Sequence, residues 1–98
     1  MSIQIAVSDA LNRRVPRFEA ERYAAFQLAV ANIAKGRAQG QKVHTSAFSG
    51  RVFYEYKAEP YTLYYSVDPK RPNSLVFEEF LSAGEENLIM DLFAEGSD

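Results

Sequence analysis

Apolar and polar positions alternate with two different periods along this chain. Ile3, Ile5 and Val7 alternate with small or polar residues, a period of two that predicts a short half-buried strand. Residues 16–35 instead repeat apolar positions at spacings of three and four, which predicts one long amphipathic helix. The apolar stripe that we expect to face the core consists of Tyr23, Phe26, Val30 and Ile33, with Ala25 and Ala29 beside it.

Capping residues mark the ends of the helical segments. Ser8 is a typical N-cap for a brief helical turn that ends near Asn12. Lys35 and Gly36 predict the end of the long helix, because a basic residue complements the helix dipole and glycine adopts the left-handed cap conformation. Residues 37–42 are polar and are predicted to form a loop.

From Val43 onward the chain is rich in β-branched and aromatic residues, interrupted by glycine and proline. These breaks predict three strands, over residues 51–58, 61–67 and 75–81. Connections this short join antiparallel neighbours, so we expect a meander with the N-terminal strand at one edge.

A capping box at Ser82 and Glu85 predicts the start of a last, short helix that ends at Gly96. The predicted order is strand, helix, three strands, helix, an α+β fold with a mostly antiparallel sheet packed against helices. With 98 residues, 47% of them hydrophobic, the chain is expected to form one domain over residues 1–98.

The amino-acid composition excludes several kinds of functional site. The absence of cysteine excludes disulfides and thiolate sites and favours a cytoplasmic protein. His44 is the single histidine, so neither a histidine-rich metal site nor a serine triad is expected. The chain has no glycine-rich phosphate loop, and we expect no cofactor. It also has no basic leader and no long apolar run, so neither a signal peptide nor a membrane span is predicted.

Charge is distributed unevenly. Residues 12–57 carry nine lysines and arginines against three glutamates, whereas residues 75–98 carry seven acidic residues and no basic one. The net charge of −2 opposes long-range attraction to phosphate backbones, so nucleic acid is a disfavoured partner. The acidic segment predicts either a repelling face or a docking surface for a basic protein.

Tyrosine is concentrated in the predicted meander, between residues 54 and 65. On an open sheet, tyrosines with Arg51 and Lys57 can stack bases and hold phosphates. Placement of the tyrosines partly in the core or in a protein interface is the favoured alternative.

The first predicted binding surface consists of Arg51, Tyr54, Tyr56, Lys57 and Tyr64. The second consists of Glu78, Glu79, Glu85 and Glu86. Because neighbours on a strand point to opposite faces, Glu78 and Glu79 are not expected to converge on one substrate.

The order of elements and two short motifs resemble the RelE/ParE superfamily of bacterial toxins. That family shows a glycine after the helical part, then a strand with the pattern Tyr-Arg-hydrophobic-x-Tyr and an acidic turn. The motifs here are Phe48-Ser49-Gly50-Arg51 and Tyr61-Thr62-Leu63-Tyr64-Tyr65-Ser66-Val67-Asp68. The resemblance covers roughly residues 48–93.

The resemblance implies the fold without the nuclease chemistry. In mRNA-cleaving members, a basic residue follows the strand tyrosine and others follow the last strand, where they stabilise developing charge. The matching positions here are Thr62, Glu85 and Glu86, one neutral residue and two carboxylates.

The resemblance therefore implies a toxin-like protein that engages a protein target or a cognate antitoxin. No residue's chemistry demands an enzyme, and the sequence leaves a homo-oligomer open. Two alternatives remain at this point. One is a small acidic inhibitor or immunity-type protein whose carboxylates cover a basic surface. The other is an RNA-binding or RNA-cleaving domain that uses the Tyr/Arg/Lys face.

Overall fold

A computed structural model describes residues 3–97 as a mixed sheet of five strands flanked by helices. In chain order the elements are β1 (Gln4–Val7), α1 (Asp9–Arg14), a 3-10 turn (Val15–Arg17), α2 (Ala20–Ala34), β2 (Gln41–Thr45), β3 (Val52–Ala58), β4 (Tyr61–Asp68), β5 (Arg71–Ser82), a second 3-10 turn (Ala83–Glu85) and α3 (Asn87–Ser97). Within residues 3–97, no helix is long and apolar enough to cross a membrane.

The strands lie in the order β1-β5-β4-β3-β2, and the predicted meander of β3, β4 and β5 is confirmed. β1 lies at one edge, parallel to β5, with Ile5 opposite Leu75 and Val7 opposite Phe77. Its edge position leaves Ile5 45% and Val7 38% exposed, more than the half-buried strand that the alternation predicted.

The other edge strand, β2, was not predicted as a strand, since residues 37–42 read as a loop. β2 pairs antiparallel with β3, and a bulge lies between Lys42 and His44. The side chains of β2 are mostly exposed, and its sequence does not alternate apolar and polar residues. The alternation by which a strand is predicted is therefore missing. The preceding residue, Gly40, donates its amide hydrogen to the hydroxyl of Tyr65 at 2.8 Å, which joins the start of β2 to the core.

The long helix begins at Ala20, not at residue 16 as predicted. The 3-10 turn is closed by a hydrogen bond from the Phe18 amide to the Val15 carbonyl, and Phe18 and Glu19 then have extended backbones. This break directs the Phe18 ring to within 6.0 Å of the rings of Phe26 and Phe80. The turn therefore adds an aromatic side chain to the core that a continuous helix would direct elsewhere.

The apolar stripe of α2 is confirmed in its central part. Phe26, Ala29 and Ile33 are buried, whereas Tyr23 is 42% exposed and does not face the core as predicted. One sheet face, here called the helical face, packs against α1 and α2 through a cluster of Leu11, Phe26, Ala29, Ile33, Leu63, Tyr65, Leu75, Phe77 and Phe80. The opposite face, here called the α3 face, packs against the last helix through Tyr64, Leu81 and Ile89.

Candidate functional site

The tyrosines of β3 lie on the helical face. The Tyr54 ring stacks on the Tyr65 ring with centroids 5.2 Å apart and planes inclined by 12°. The Tyr56 hydroxyl accepts a hydrogen bond from the Asn32 side-chain amide at 3.3 Å. Both tyrosines are half-buried against the core, in agreement with the interpretation favoured over an RNA-stacking surface.

Arg51, Lys57 and Tyr64 lie on the other side of the sheet, the α3 face. Tyr64 is 5% exposed and packs against Ile89 of α3. Burial raises the pKa of the Tyr64 phenol, and the negative charges of Glu55 and Glu86 raise it further. The structure therefore does not bring together the first predicted binding surface, because its tyrosines point to both faces of the sheet.

A buried hydroxyl connects Arg51 to Glu78 on the α3 face. Arg51 donates to the Ser66 Oγ from Nη2 at 2.9 Å and from Nε at 3.2 Å. Ser66, which is fully buried, donates in turn to Glu78 Oε2 at 2.6 Å. The arginine charge is thus matched by a carboxylate through one hydroxyl.

A second charged cluster joins β5 to the two N-terminal helices and is here called the Arg–Glu cluster. Arg14 lies 3.5 Å from Glu79 through Nε and 3.4 Å from Glu85 through Nη2. Arg22 Nη1 lies 3.1 Å from Glu85 Oε1. Glu85 Oε1 also accepts from the Ser82 amide at 3.0 Å, which confirms the predicted capping box.

The four carboxylates of the second predicted surface therefore lie in different environments. A bulge at Glu78 interrupts the strand alternation, and this residue turns to Ser66 while Glu79 turns to Arg14. Glu79 is 9% exposed and Glu85 is half-buried, whereas Glu86 is exposed. Only Glu86 is as accessible as a docking carboxylate needs to be.

The two glutamates of the Arg–Glu cluster have pKa shifts of opposite sign. Burial raises the pKa of Glu79, and the attraction of Arg14 offsets only part of this effect. Burial also acts to raise the pKa of Glu85, but the Ser82 amide, Arg22 and Arg14 together outweigh it, and the pKa lies below its ordinary value. At neutral pH the negative charge on Glu79 therefore costs folding free energy, whereas the charge on Glu85 is stabilised.

The Glu79→Gln variant should be more stable than the unmodified protein at pH 7.5. Since the folded state raises the pKa of Glu79, this residue favours folding most below the ordinary pKa of about 4.3 and loses that contribution as pH rises through the folded value. The gain from the substitution should therefore shrink toward pH 4.5. Urea denaturation at both pH values measures it, with exposed Glu86→Gln as the matched control. A less stable Glu79→Gln protein at pH 7.5 would mean that the Arg14 attraction exceeds the cost of burial.

A groove at the 3-10 turn was not predicted from the sequence and is here called the Phe18 groove. Its apolar part has a volume of ≈ 540 Å³ and is lined by Val15, Pro16, Phe18, Ala20 and Tyr23. Its basic part has a volume of ≈ 240 Å³ and is lined by Arg14, Arg17, Phe18, Arg22 and Glu85. The density of arginine between residues 13 and 22, around one proline, is the sequence signal that could have indicated it.

Comparison with known proteins shows a likeness at the level of fold. No family model matches the chain, and no curated protein matches it in sequence. A chain in the crystal structure of the archaeal RelE-RelB complex from Pyrococcus horikoshii OT3 is similar, with a TM-score of 0.60 and 12% sequence identity. The match covers 86% of this chain and 98% of that chain. The protein therefore has a RelE-like fold, as the order of elements and the motifs at residues 48–51 and 61–68 predicted.

Proposed function

We propose that this protein acts by binding a protein partner, as the toxin-like member of a toxin–antitoxin pair, and that it does not cleave RNA. The observation that carries the proposal is the state of Thr62, Glu85 and Glu86. Of the three positions that mRNA-cleaving relatives fill with basic residues, Thr62 is buried at 5% exposure and Glu85 is held in the Arg–Glu cluster. Glu86, the third, is an exposed carboxylate.

The nearby basic side chains do not replace the missing ones. Cleavage of a phosphodiester needs positive groups aimed in advance at the charge that develops in the transition state. Arg51 is directed at Ser66 and thereby at Glu78, and the Lys57 Nζ lies 3.8 Å from a Glu55 carboxylate oxygen. A phosphate at either position would meet a carboxylate as well as a cation. The local charge therefore opposes the chemistry.

Two observations support a protein partner. The similar chain of known structure comes from a RelE-RelB complex, so this fold occurs in a two-protein assembly. In addition, the apolar part of the Phe18 groove is uncovered beside Tyr23, which is 42% exposed, and the arginines of the basic part adjoin it. An exposed apolar surface rimmed by charged side chains is typical of a protein-binding surface.

Controlled expression in a bacterial host tests the proposal, with growth, RNA integrity and co-purifying proteins followed together. We expect growth arrest with intact RNA and a stoichiometric protein partner. The Phe80→Ala variant, which should be strongly destabilised, serves as the control for the burden of expression. Arrest with cleaved RNA would contradict the reasoning from Thr62, Glu85 and Glu86. Normal growth without a bound protein would contradict the toxin–antitoxin assignment.

A further inference from the structure

The Phe18 groove combines an apolar surface with guanidinium groups, and Phe18 lines both parts. The apolar part lies between the 3-10 turn and the start of α2, where Tyr23 is 42% exposed. Its volume of ≈ 540 Å³ falls within the range of about 300–1,000 Å³ that is usual for binding pockets. This part has room for a large apolar side chain of a partner.

Arg22 is held in place before any partner arrives. Its guanidinium carbon lies 5.2 Å from the centroid of the Phe18 ring and 5.0 Å from that of the Tyr61 ring, both within the range of cation–π attraction. Its Nη1 atom contacts Glu85 at 3.1 Å. A guanidinium has five N–H donors, and among the hydrogen bonds of the described residues only Nη1 of Arg22 is engaged. The remaining edge can receive a carboxylate with a smaller loss of side-chain entropy than a freely rotating arginine would have.

Arg17 supplies the positive charge that the fold leaves unmatched. Arg14 is committed to Glu79 and Glu85, and Arg22 shares Glu85 with it. Arg17 is exposed and, within residues 3–97, is joined to no carboxylate by an ion pair. Glu19 and Glu85 are the carboxylates that line this part of the groove, and Glu85 is already shared by Arg14 and Arg22. Arg17 is therefore the guanidinium of the groove that the described ion pairs leave available to a partner's carboxylate.

We propose that the Phe18 groove docks a partner segment in which one large apolar side chain stands beside a carboxylate. The apolar side chain would occupy the part next to Tyr23, and the carboxylate would pair with Arg17 and the free edge of Arg22. A peptide fits better than RNA, because the side chains of Val15, Pro16 and Ala20 offer no hydrogen-bonding group to a base edge. This inference rests on the proposed function, since it names where and how the protein partner binds.

Selection of a phage-displayed random dodecapeptide library on the immobilised protein tests the docking surface without knowledge of the partner. We expect enrichment of peptides that place Phe, Leu, Ile, Met or Trp within one or two residues of Asp or Glu. A selected peptide, made synthetically, should bind the Arg17→Glu protein at least tenfold more weakly, as is usual for hot-spot residues. Tyr23→Ser should weaken binding by a similar factor.

Two exposed positions outside the groove provide matched controls. Arg13→Glu makes the same change of charge as Arg17→Glu, but at an exposed position of α1. Leu28→Ser removes an exposed apolar side chain from α2, the helix that carries Tyr23. Both should leave affinity unchanged, and all four variants should keep the melting temperature of the unmodified protein because these side chains are exposed. Enrichment of peptides without acidic residues would refute the proposal that the Phe18 groove docks an acidic segment. Peptide affinities that Arg17→Glu leaves unchanged would refute it as well.

The failure of the groove can be told apart from the failure of the proposed function. A protein that co-purifies equally with the Arg17→Glu and unmodified chains would refute the groove and leave the protein-binding function standing. If no peptide is enriched, and a labelled twelve-nucleotide uridine RNA binds the unmodified chain but not Arg17→Glu, the groove is a nucleic-acid site and the peptide proposal is wrong.

Discussion

Replacement of Phe80 by alanine is expected to lower the free energy of unfolding by about 3–5 kcal/mol, the usual cost of truncating a buried phenylalanine. Phe80 is completely buried, and its ring lies 5.4 Å from that of Phe26, 5.2 Å from that of Tyr61 and 6.0 Å from that of Phe18. These three rings belong to α2, to β4 and to the residue after the 3-10 turn. The cavity left by the substitution would therefore be lined by side chains from three parts of the fold. Because these parts would have to move together to fill it, the cavity cannot easily collapse.

Thermal or urea unfolding followed by circular dichroism measures the effect. Domains of this size are stable by about 5–15 kcal/mol, so the variant should be largely unfolded or melt far below the unmodified protein. Phe48→Ala is the matched control, because the Phe48 ring is 79% exposed. Its stability should change by less than about 0.5 kcal/mol. A Phe80→Ala protein as stable as Phe48→Ala would mean that the aromatic cluster contributes little.

Replacement of Gly40 by alanine is expected to cost about 1–3 kcal/mol through overpacking. A Cβ atom at this position would lie 2.7 Å from the Glu55 carbonyl oxygen and 2.8 Å from both Cε1 and the hydroxyl of Tyr65. The carbonyl belongs to the backbone of β3, and the ring of Tyr65 is stacked on that of Tyr54, so neither neighbour can move freely. The clash would also lengthen the Gly40–Tyr65 hydrogen bond of 2.8 Å.

Gly84→Ala provides the comparison for this prediction, because a Cβ atom there would meet no atom within 4 Å. We expect the stability of Gly84→Ala to match that of the unmodified protein within about 0.5 kcal/mol. The double variant Gly40→Ala/Tyr65→Phe should lose less than the sum of the single variants, since removal of the hydroxyl relieves one of the close contacts. Strict additivity would show that the clash with Tyr65 does not determine the cost.

The meander was predictable because each of its strands carries its own local signal. β3, β4 and β5 have β-branched and aromatic residues between turn residues, and the capping box at Ser82 and Glu85 requires only four consecutive residues. β2 has no such signal. It is a strand because of its hydrogen bonds to β3 and the contact of Gly40 with Tyr65, which lies 25 residues further along the chain. Contacts over that distance leave no pattern within a short window of sequence.

The binding residues were harder to place than the strands for a related reason. The first predicted surface grouped Arg51, Tyr54 and Tyr64 by their proximity in sequence, yet the first and last lie on one face and Tyr54 on the other. The second grouped carboxylates by charge, but α1 and α2 bring Arg14 and Arg22 against Glu79 and Glu85. Charge counts describe segments of the chain, and the fold brings the basic segment and the acidic segment into contact.

The parallel pairing of β1 with β5 fixes the order in which the chain can complete its fold during synthesis. The Ser8 amide donates to the Phe77 carbonyl and the Ser8 hydroxyl to the Glu78 carbonyl, a contact across 70 residues. Of the five strands described, the earliest to be synthesised is thus the last to find its neighbour, because loop closure over such a length precedes any gain from the pairing. Until residues 74–77 are synthesised, Ile5 and Val7 have no strand beside them, and β1 is an unpaired apolar segment of the nascent chain.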